Sequence, residues 1–190
     1  MAAKDILVAR PATATGGILA GPTGSTLPTD STTTLDEALV KHGLVGEDGL
    51  SMSTERGTES ITAWGGDEVR VVQTEHAVTF TFTLLETTAV TAGAVFGDEN
   101  VTETPASAES GTKLDVVITS DPLPRKSWVF DMKDGAKTVR VVVPDGQITE
   151  VGDTSFVHSD ATGWEVTLKA FGDDQSRKAY IYSDDGVTTG

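Results

Sequence analysis

The sequence predicts a mainly β protein, built as a sandwich or barrel with one or two short flanking helices, a long N-terminal arm and long loops. Threonine and valine supply 50 of the 190 residues, and these β-branched side chains favour pleated strands over helices. Apolar and polar residues alternate at a period of two in several short runs. Glycine and proline, with 20 and 7 residues, separate these runs, as is typical of all-β domains.

The length and the proline content predict one domain behind an extended arm. A chain of 190 residues has the usual size of one domain, roughly 100 to 200 residues. Residues 1–33 carry Pro11, Pro22 and Pro28 among glycine, serine and threonine, a composition that prevents long regular elements. We therefore predict an extended N-terminal arm over residues 1–33 and a single β domain over residues 34–190.

Two short helices are predicted beside the strands of this domain. Thr34 and Glu37 have the spacing of a capping box, and Gly43 would end the first helix in a left-handed conformation. Thr88 is a suitable N-cap for the second helix, and Gly97 would end it. Both helices should span about two turns.

Residues 43–66 predict a long polar loop between these helices. Six glycines lie in this stretch among polar residues, and such a composition favours irregular structure. Its isolated apolar residues include Leu44, Leu50, Met52, Ile61 and Trp64. A long loop with apolar side chains docks on another surface. Two interpretations remain open here, a flap over the core of the same subunit and a contact with a partner.

The clearest strand signal covers residues 78–84. Val78, Phe80, Phe82 and Leu84 fall on one face, while the threonines between them fall on the other. This alternation predicts a half-buried antiparallel strand. Its apolar face should pack in the core and its threonine face should stay polar.

Further strands are predicted in the second half of the chain. Asp134-Gly135 is a favoured hairpin pair, so it should join a strand carrying Trp128 and Phe130 to a strand over residues 139–143. A turn at residues 144–146 should end that second strand. Other strands are predicted over residues 114–119, 148–151, 163–171 and 178–183, after an acidic connector over residues 98–111.

The charge and the composition exclude several classes of protein. The net charge is −15 and the pI is about 4.4, which argues against a protein that grips nucleic acid or an anionic membrane, because such binding needs clustered Lys and Arg. The absence of cysteine excludes disulfides and thiolate metal sites. No apolar run approaches the roughly 18 residues that span a bilayer, so we expect neither a membrane anchor nor a secretion signal.

No pattern of residues predicts catalysis or a cofactor. The glycines of residues 16–23 have the spacing of a phosphate-binding loop, but Pro22 stands where that loop needs lysine. Asp173-Asp174 and Asp184-Asp185 are adjacent pairs beside turns, where solvation is the ordinary state and a bound calcium ion is the alternative. The three histidines, His42, His76 and His158, have no Glu or Asp beside them at the spacing of metal ligands. We therefore expect no enzyme, no metal site and no cofactor.

Eight stretches of the chain occur in a characteristic order and spacing. They are Leu35-Asp36-Glu37-Ala38, Gly43-Leu44-Val45, Glu47-Asp48-Gly49-Leu50, Ala63-Trp64-Gly65-Gly66, Leu84-Leu85-Glu86-Thr87, Val151-Gly152-Asp153, Gly163-Trp164-Glu165-Val166-Thr167-Leu168, and Asp173-Asp174 ahead of Lys178 to Tyr182. Together they span about two thirds of the chain, and none of them is a catalytic signature. In their order and spacing they resemble the major tail proteins, or tail tube proteins, of long-tailed, siphovirus-type bacteriophages of actinobacterial hosts.

This resemblance implies a structural protein of the virion that is assembled in the host cytoplasm. It implies a β-sandwich or barrel with a flanking helix, rings of six copies, and rings stacked into a hollow tube through which DNA passes without specific binding. The implied partners are other copies of the chain, a tape measure protein and the tail terminator and tip proteins, with no membrane. Some relatives carry a C-terminal immunoglobulin-like domain, which we do not expect here because the chain ends soon after its last predicted strand.

The resemblance also gives a role to the long loop and to the negative charge. The loop over residues 43–66 becomes a contact between subunits or rings, through Leu44, Leu50, Met52, Ile61 and Trp64. Acidic side chains on the wall would repel a duplex that carries about one charge per 1.7 Å. The predicted lumen-facing residues are Glu68, Glu75 and Asp131.

Other functions share the same composition. A tail-completion or capsid-decoration protein is the nearest alternative. A surface-binding or carbohydrate-binding β-sandwich is another, and it would need an exposed aromatic platform. The candidates for such a platform are Trp64, Trp128, Trp164 and Tyr180, although strand alternation favours a core position for Trp128 and Trp164.

Overall fold

The computed structural model describes residues 6–13, 16–159 and 161–188, and strands dominate this part of the chain. The mainly β prediction is therefore confirmed. Residues 1–5 and 14–15 of the predicted arm lie outside the described residues. The elements are β1 (Arg10–Pro11), β2 (Ile18–Pro22), β3 (Val40–Lys41), β4 (Val45–Thr62), β5 (Glu68–Leu84), α1 (Ala89–Phe96), a 3-10 turn (Asp98–Asn100), β6 (Val101–Thr104), β7 (Lys113–Val116), β8 (Lys126–Asp134), β9 (Lys137–Val151), β10 (Trp164–Ala170) and β11 (Tyr180–Asp184).

One antiparallel sheet contains most of these strands. Its order is β3-β2-β8-β9-β10-β5-β4, with β1 added to β8 and β11 added to β9, while β6 and β7 form a separate pair. Strand β9 lies in the middle of this order and connects its two sides: its residues 137–146 pair with β8, its residues 138–142 also pair with β11, and its residues 146–151 pair with β10. We call the β3-β2-β8 side the first half and the β10-β5-β4 side the second half.

The two halves of the sheet face each other across the main core. Phe80 of the second half stacks on Phe130 of the first half, with 5.2 Å between ring centroids. Phe82 contacts Trp128 at 5.8 Å. All four side chains are almost completely buried, and truncating one such aromatic residue costs about 3 to 5 kcal/mol. The arrangement is the predicted sandwich.

Helix α1 confirms the second predicted helix and closes one end of this core. The Thr88 hydroxyl accepts a hydrogen bond from the Thr91 amide, and Gly97 ends the helix with φ 96°. Phe96 packs edge-on against Trp164 at 5.8 Å. Among the described residues no helix is long and apolar enough to cross a membrane.

The first predicted helix, from Thr34, is wrong. Its residues form a turn in which the Asp36 carboxylate accepts the Ala38 amide and the Asp36 carbonyl accepts the Leu39 amide. Strand β3 follows directly. Aspartate competes with helix formation in this way, because its side chain satisfies nearby backbone amides outside a helix.

The predicted N-terminal arm is also wrong where β2 lies. Strand β2 pairs with β3 on one side and β8 on the other, so it is an inner strand of the sheet. Ile18, Leu19 and Ala20 are buried. Its partners lie about 20 and 110 residues further along the chain, so the local composition could not reveal the strand.

Two predicted turns in the second half of the chain are displaced. Asp134 pairs with Lys137, so the hairpin loop is Gly135-Ala136, with Gly135 at φ 61°. The predicted turn at residues 144–146 is instead a bulge within β9. Pro144 has no backbone N–H to donate to a neighbouring strand, and a bulge tolerates that. The predicted strands over residues 139–143 and 148–151 are therefore one strand.

The remaining strand predictions are confirmed in place, with altered bounds. Strands β10 and β11 lie where residues 163–171 and 178–183 were predicted. The strand predicted over residues 114–119 is the shorter β7, and the predicted connector over residues 98–111 contains β6. Trp128 and Trp164 lie in the core as expected.

Candidate assembly surfaces

The loop predicted over residues 43–66 is wrong, because these residues form the first strand of a long β-hairpin. Strand β4 pairs with β5 from Val45 opposite Leu84 to Thr62 opposite Glu68. Three register shifts interrupt the ladder, and Gly49 and Gly57 lie next to two of them. Glycine that suggested a loop here accommodates β-bulges.

Most of this hairpin extends beyond the body of the protein. Residues 51–75 are exposed on both faces except for the half-buried Gly57, and we call this part the projecting hairpin. Residues 54–62 of β4 alone span about 26 Å at about 3.3 Å per residue. A two-stranded hairpin is marginally stable by itself in water, so such a projection favours a role in contacts with other molecules.

The tip of the projecting hairpin presents Trp64. The Ala63 amide donates to the Asp67 carbonyl at 2.8 Å, and the Gly66 amide donates to the Ala63 carbonyl at 2.9 Å. Gly66 has φ 92°, a conformation that favours glycine. These bonds hold a tight turn on which the Trp64 side chain is completely exposed. Exposed tryptophan is rare on monomers and frequent at interfaces.

The outer face of the second half is polar and acidic. Thr81 pairs with Ser51 on one side and with Thr167 on the other, and these residues point away from the core. The same face continues along the projecting hairpin through Glu55 and Glu75. We call it the acidic face; its charged residues, assigned by strand register, are Glu55, Glu59, Glu75, Glu150 and Glu165 with Arg70 and Lys169.

The three predicted lumen-facing residues lie in three different places. Glu75 belongs to the acidic face, whereas Glu68 lies near the tip on the opposite face of the hairpin. Asp131 lies in β8 and accepts hydrogen bonds from Arg140 Nε at 3.2 Å and Nη2 at 3.1 Å. Arg140 is buried, so Asp131 serves the fold of its own subunit.

The outer face of the first half is covered by the chain itself. Leu19, Leu39, Val129 and Val142 form a second apolar cluster. Leu27 and Leu35 of residues 27–36, which we call the cover segment, pack on it together with Tyr180 and Tyr182 of β11.

Arg140 fastens the cover segment to the sheet. Its Nη1 donates to the Asp30 carbonyl at 3.2 Å and to the Thr33 carbonyl at 2.7 Å. The Thr138 hydroxyl donates to the Ser31 hydroxyl oxygen at 2.8 Å. Asp30 accepts amide and hydroxyl bonds from Thr33, which hold the pKa of its carboxyl well below the ordinary value. The turn of the cover segment is thus fixed in shape.

An apolar cleft opens where the projecting hairpin leaves the body. It has a volume of about 350 Å³ and lies between β1, the start of β2, β8 and the start of β4. Its apolar lining comes from Pro11, Ile18, Leu50, Phe130 and Met132, and the charged residues Arg10, Glu47 and Asp131 also line it. We call it the base cleft.

The five predicted contact residues divide between the two ends of β4. Leu50 lies in the base cleft, and Leu44 is half-exposed nearby, with its amide donating to Glu86 Oε1 at 2.9 Å. Met52 is exposed just beyond the cleft, and Ile61 and Trp64 lie at the tip. The sequence singled out these five residues as one predicted contact, but it did not reveal how far apart they lie.

The buried ionisable groups do not form a catalytic site. His42 stacks on Trp128 with 5.4 Å between ring centroids, and its ring bonds to the Val40 carbonyl at 3.0 Å. Burial, with the nearby Lys126 charge, lowers the pKa of His42 to about 4. Within the described ranges, no group of three or more His, Cys, Asp or Glu residues could hold a metal ion.

Comparisons with known proteins point to one family. The family model described as phage tail tube protein matches residues 1–189. No curated protein is significantly similar to the chain in sequence. Three cryo-EM or virion structures are similar at low identity. The tube-terminating cap of the anti-feeding prophage has 13% identity and a TM-score of 0.41, with 95% of this chain and 96% of that chain covered.

The other two structures have similar values. The virion of a native gene transfer agent particle gives 12% identity and a TM-score of 0.41, over 88% of this chain and 95% of that chain. The sheath-tube complex of an extracellular contractile injection system in its extended state gives 10% identity and a TM-score of 0.36, over 88% of each chain.

Proposed function

Because this chain belongs to the phage tail tube protein family, we propose that six copies close into a ring and that stacked rings form the hollow tube of a siphovirus-type tail in an actinobacterial phage. The family role is structural, and the chain is not an enzyme. Genomic DNA passes through the bore during ejection without being bound. The tube is a part of the virion, assembled in the host cytoplasm.

The observation that carries this proposal is an acidic face that borders a long free strand edge. Among the described residues, β4 pairs with β5 alone, so its other edge offers 18 residues to a neighbour. Exposed edges of this length promote pairing with another chain. A neighbour added there would continue the sheet, and the acidic faces of successive copies would join into one lining.

The acidic face is the part of the subunit that suits a DNA passage. Five carboxylates against two cations, all assigned by register, give it a negative charge like that of the duplex. Charges act over about 8 Å at physiological salt, so only the lining affects the DNA. Repulsion keeps the genome from adhering to the wall as it moves.

The other half of the subunit suits the outside of the wall. Its outer face is closed by the cover segment and β11, so it needs no further partner. The tape measure protein would fill the bore before ejection, and the terminator and tip proteins would bind the two ends of the tube. These contacts follow from the proposed role.

Electron microscopy of the concentrated purified protein tests the proposal. We expect six-fold rings and long hollow tubes, with a smallest closed species of six times the 19.8 kDa chain in native mass spectrometry. Single rings that never stack would favour a tail-completion protein, and a stable monomer at high concentration would contradict the proposal.

A pair of matched variants connects the assembly to the projecting hairpin. Ile61→Asp changes an exposed residue near the tip, and Ile118→Asp changes an exposed residue outside the hairpin. Both should fold, since both side chains are at least half exposed. Ile61→Asp should lose the tubes and Ile118→Asp should keep them; tubes from both variants would remove the hairpin from the contact.

A further inference from the structure

We infer that Trp64 of one copy inserts into the base cleft of the next copy along the tube. This inference rests on the proposed function and specifies its axial contact: the hairpin tip is the inserted part, and the base cleft receives it. Four features of the subunit support it, namely the shape of the tip, the size of the cleft, the distance between them and their charges.

The tip presents Trp64 in a fixed position. The turn is closed by the Ala63-Asp67 and Gly66-Ala63 backbone bonds, so the indole stands on a short, ordered support. Burying a side chain such as tryptophan removes about 150 to 250 Å² from water. Because the support is ordered before contact, less conformational freedom is lost on binding.

The base cleft has the size and lining for one aromatic side chain. Its volume of about 350 Å³ lies at the low end for ligand sites, about 300 to 1,000 Å³. Leu50, Met132 and Pro11 line it, and Phe130 lies at its floor with 1% of its surface exposed. Most of the surface of an indole in this cleft would contact apolar atoms.

The tip cannot reach the cleft of its own subunit. Leu50 lines the cleft and Ile61 lies near the tip, on the same strand. They are eleven positions apart along the strand, which is about 36 Å at about 3.3 Å per residue. An indole that fills the cleft must therefore come from another copy.

The charges at the two ends allow one ion pair between copies. Asp67 and Glu68 follow Trp64 at the tip. Of the three charged residues that line the cleft, Asp131 is paired with Arg140, while Arg10 on β1 and Glu47 on β4 have no ion pair among the described residues. Arg10 also lies directly across the ladder from Lys133, so an acidic residue of the tip that approaches the β1 side of the cleft would meet two cations.

This arrangement gives an axial contact rather than a closed pair. The tip at one end of the subunit and the cleft at the other make a head-to-tail contact. Such contacts repeat without limit when the rotation between copies does not close a ring. The free β4 edge serves the ring, and the tip and cleft serve the stack.

Tryptophan fluorescence tests the inference directly in the unmodified protein. Trp128 and Trp164 are buried in the subunit, so Trp64 is the only exposed tryptophan of the three. On assembly we expect a blue shift of the emission and at least a threefold drop in acrylamide quenching of the exposed fraction. Trp64→Phe should remove the shift. Tubes in which Trp64 stays fully quenchable would overturn the inference and leave the proposed function intact.

Cysteine crosslinking identifies the acceptor. The chain has no cysteine. A side chain at Gly65 would meet only the Asp67 carboxylate, at 3.9 Å, and Glu47 is an exposed residue that lines the cleft. The double variant Gly65→Cys with Glu47→Cys, assembled and mildly oxidised, should give a ladder of disulfide-linked multimers. The matched control, Gly65→Cys with Asp121→Cys, should give none.

The outcomes separate the two proposals. Tubes without a ladder in the Glu47 variant, or an equal ladder in the Asp121 control, would overturn the tip-in-cleft contact alone. Failure of the unmodified protein to form any ring or tube would contradict the proposed function itself. Trp64→Ala should keep the rings and lose the stacked tubes, and full-length tubes from that variant would also overturn the inference.

Discussion

The two halves of the sheet differ in how their outer faces are completed. Val129 on the first half is buried under the cover segment, whereas Thr81 at the corresponding depth of the second half faces outward and is half-buried. The first half satisfies its apolar face within the subunit. The second half has a threonine-rich face that needs no cover in water, together with a long free edge.

This difference separates stability from assembly within one small domain. Substitutions in the first half should change the free energy of unfolding of the monomer. Substitutions on the outer face of the second half should leave that free energy nearly unchanged and act on the tube. Substitutions on the two outer faces test this division, because the two faces should respond differently in unfolding free energy.

The same substitution on the two outer faces should have opposite consequences. Val129→Asp buries an unpaired carboxylate under the cover segment, and we expect it to cost more than about 4 kcal/mol and to leave little folded protein. Thr81→Asp adds a carboxylate to the solvated face and should cost about 1 kcal/mol or less. Urea unfolding followed by circular dichroism measures both, and equal costs would remove the distinction between the halves.

Removing Arg140 should destabilise the first half nearly as much. Arg140→Met leaves Asp131 without its partner and removes the donors to the Asp30 and Thr33 carbonyls. Breaking a buried ion pair in this way costs about 3 to 5 kcal/mol. Urea unfolding with an unchanged m-value should report this loss.

A surface ion pair provides the matched control for Arg140. Arg125 pairs with Asp145 at 2.7 Å, but half of its side chain is exposed. Arg125→Met should therefore cost less than Arg140→Met, but still about 1 to 2 kcal/mol, because it also removes the guanidinium from the Phe171 ring at 3.8 Å and the hydrogen bond to Asp145. A cost for Arg140→Met as small as this would mean that the cover segment is held by its apolar contacts alone.

His42 should make the stability of the domain depend on pH. Its pKa is lowered to about 4 in the folded state by burial, while the unfolded chain has the ordinary value of about 6.5. The folded state therefore favours the neutral imidazole. Its contribution to the free energy of unfolding is complete above pH 6.5 and is lost as the pH falls from 6.5 to 4. The total loss from this group is about 3 kcal/mol.

Comparison of variants isolates this histidine from the titrating carboxylates. The unfolding free energy of the unmodified protein should fall more steeply between pH 6.5 and 4 than that of His42→Gln. His158→Gln changes an exposed histidine and should keep the full slope. Identical slopes for the unmodified protein and His42→Gln would show that His42 titrates normally in the folded state.

Local sequence patterns predicted the elements whose structure depends on neighbours in the chain. The alternation from Val78 to Leu84 placed the base of β5, and Thr88 and Gly97 placed α1. Strands β2 and β4 were missed because their local composition is that of a loop. Pairing with distant strands, rather than intrinsic propensity, makes these residues extended.

For the candidate surfaces, the sequence pointed to individual residues but not to their arrangement. Trp64 and Leu50 stand out in the sequence as isolated apolar residues in a polar stretch. Their placement at opposite ends of one strand follows from the pairing of β4 with β5 and could not be read from local patterns. Glu165 was missed as a member of the acidic face for the same reason, since it joins that face only through the register of β10 with β5.

Charge reversal on the acidic face should have the smallest effect on stability and a large effect on function. Glu55, Glu75 and Glu165 lie on solvated strand surfaces, so replacing all three by lysine should change the unfolding free energy by about 1 kcal/mol or less. Tubes should still form, because the β4 edge, the tip and the base cleft are unchanged. The reversed wall should attract the duplex, so DNA passage should slow, most strongly at low salt.

Ejection kinetics of phage carrying the triple variant measure this change in DNA passage. The control is a variant in which Glu99, Glu103 and Glu109, which lie outside the acidic face, become lysine. Equal ejection rates for both variants at low salt would assign the bore to a different face, since the lining alone lies within screening distance of the DNA.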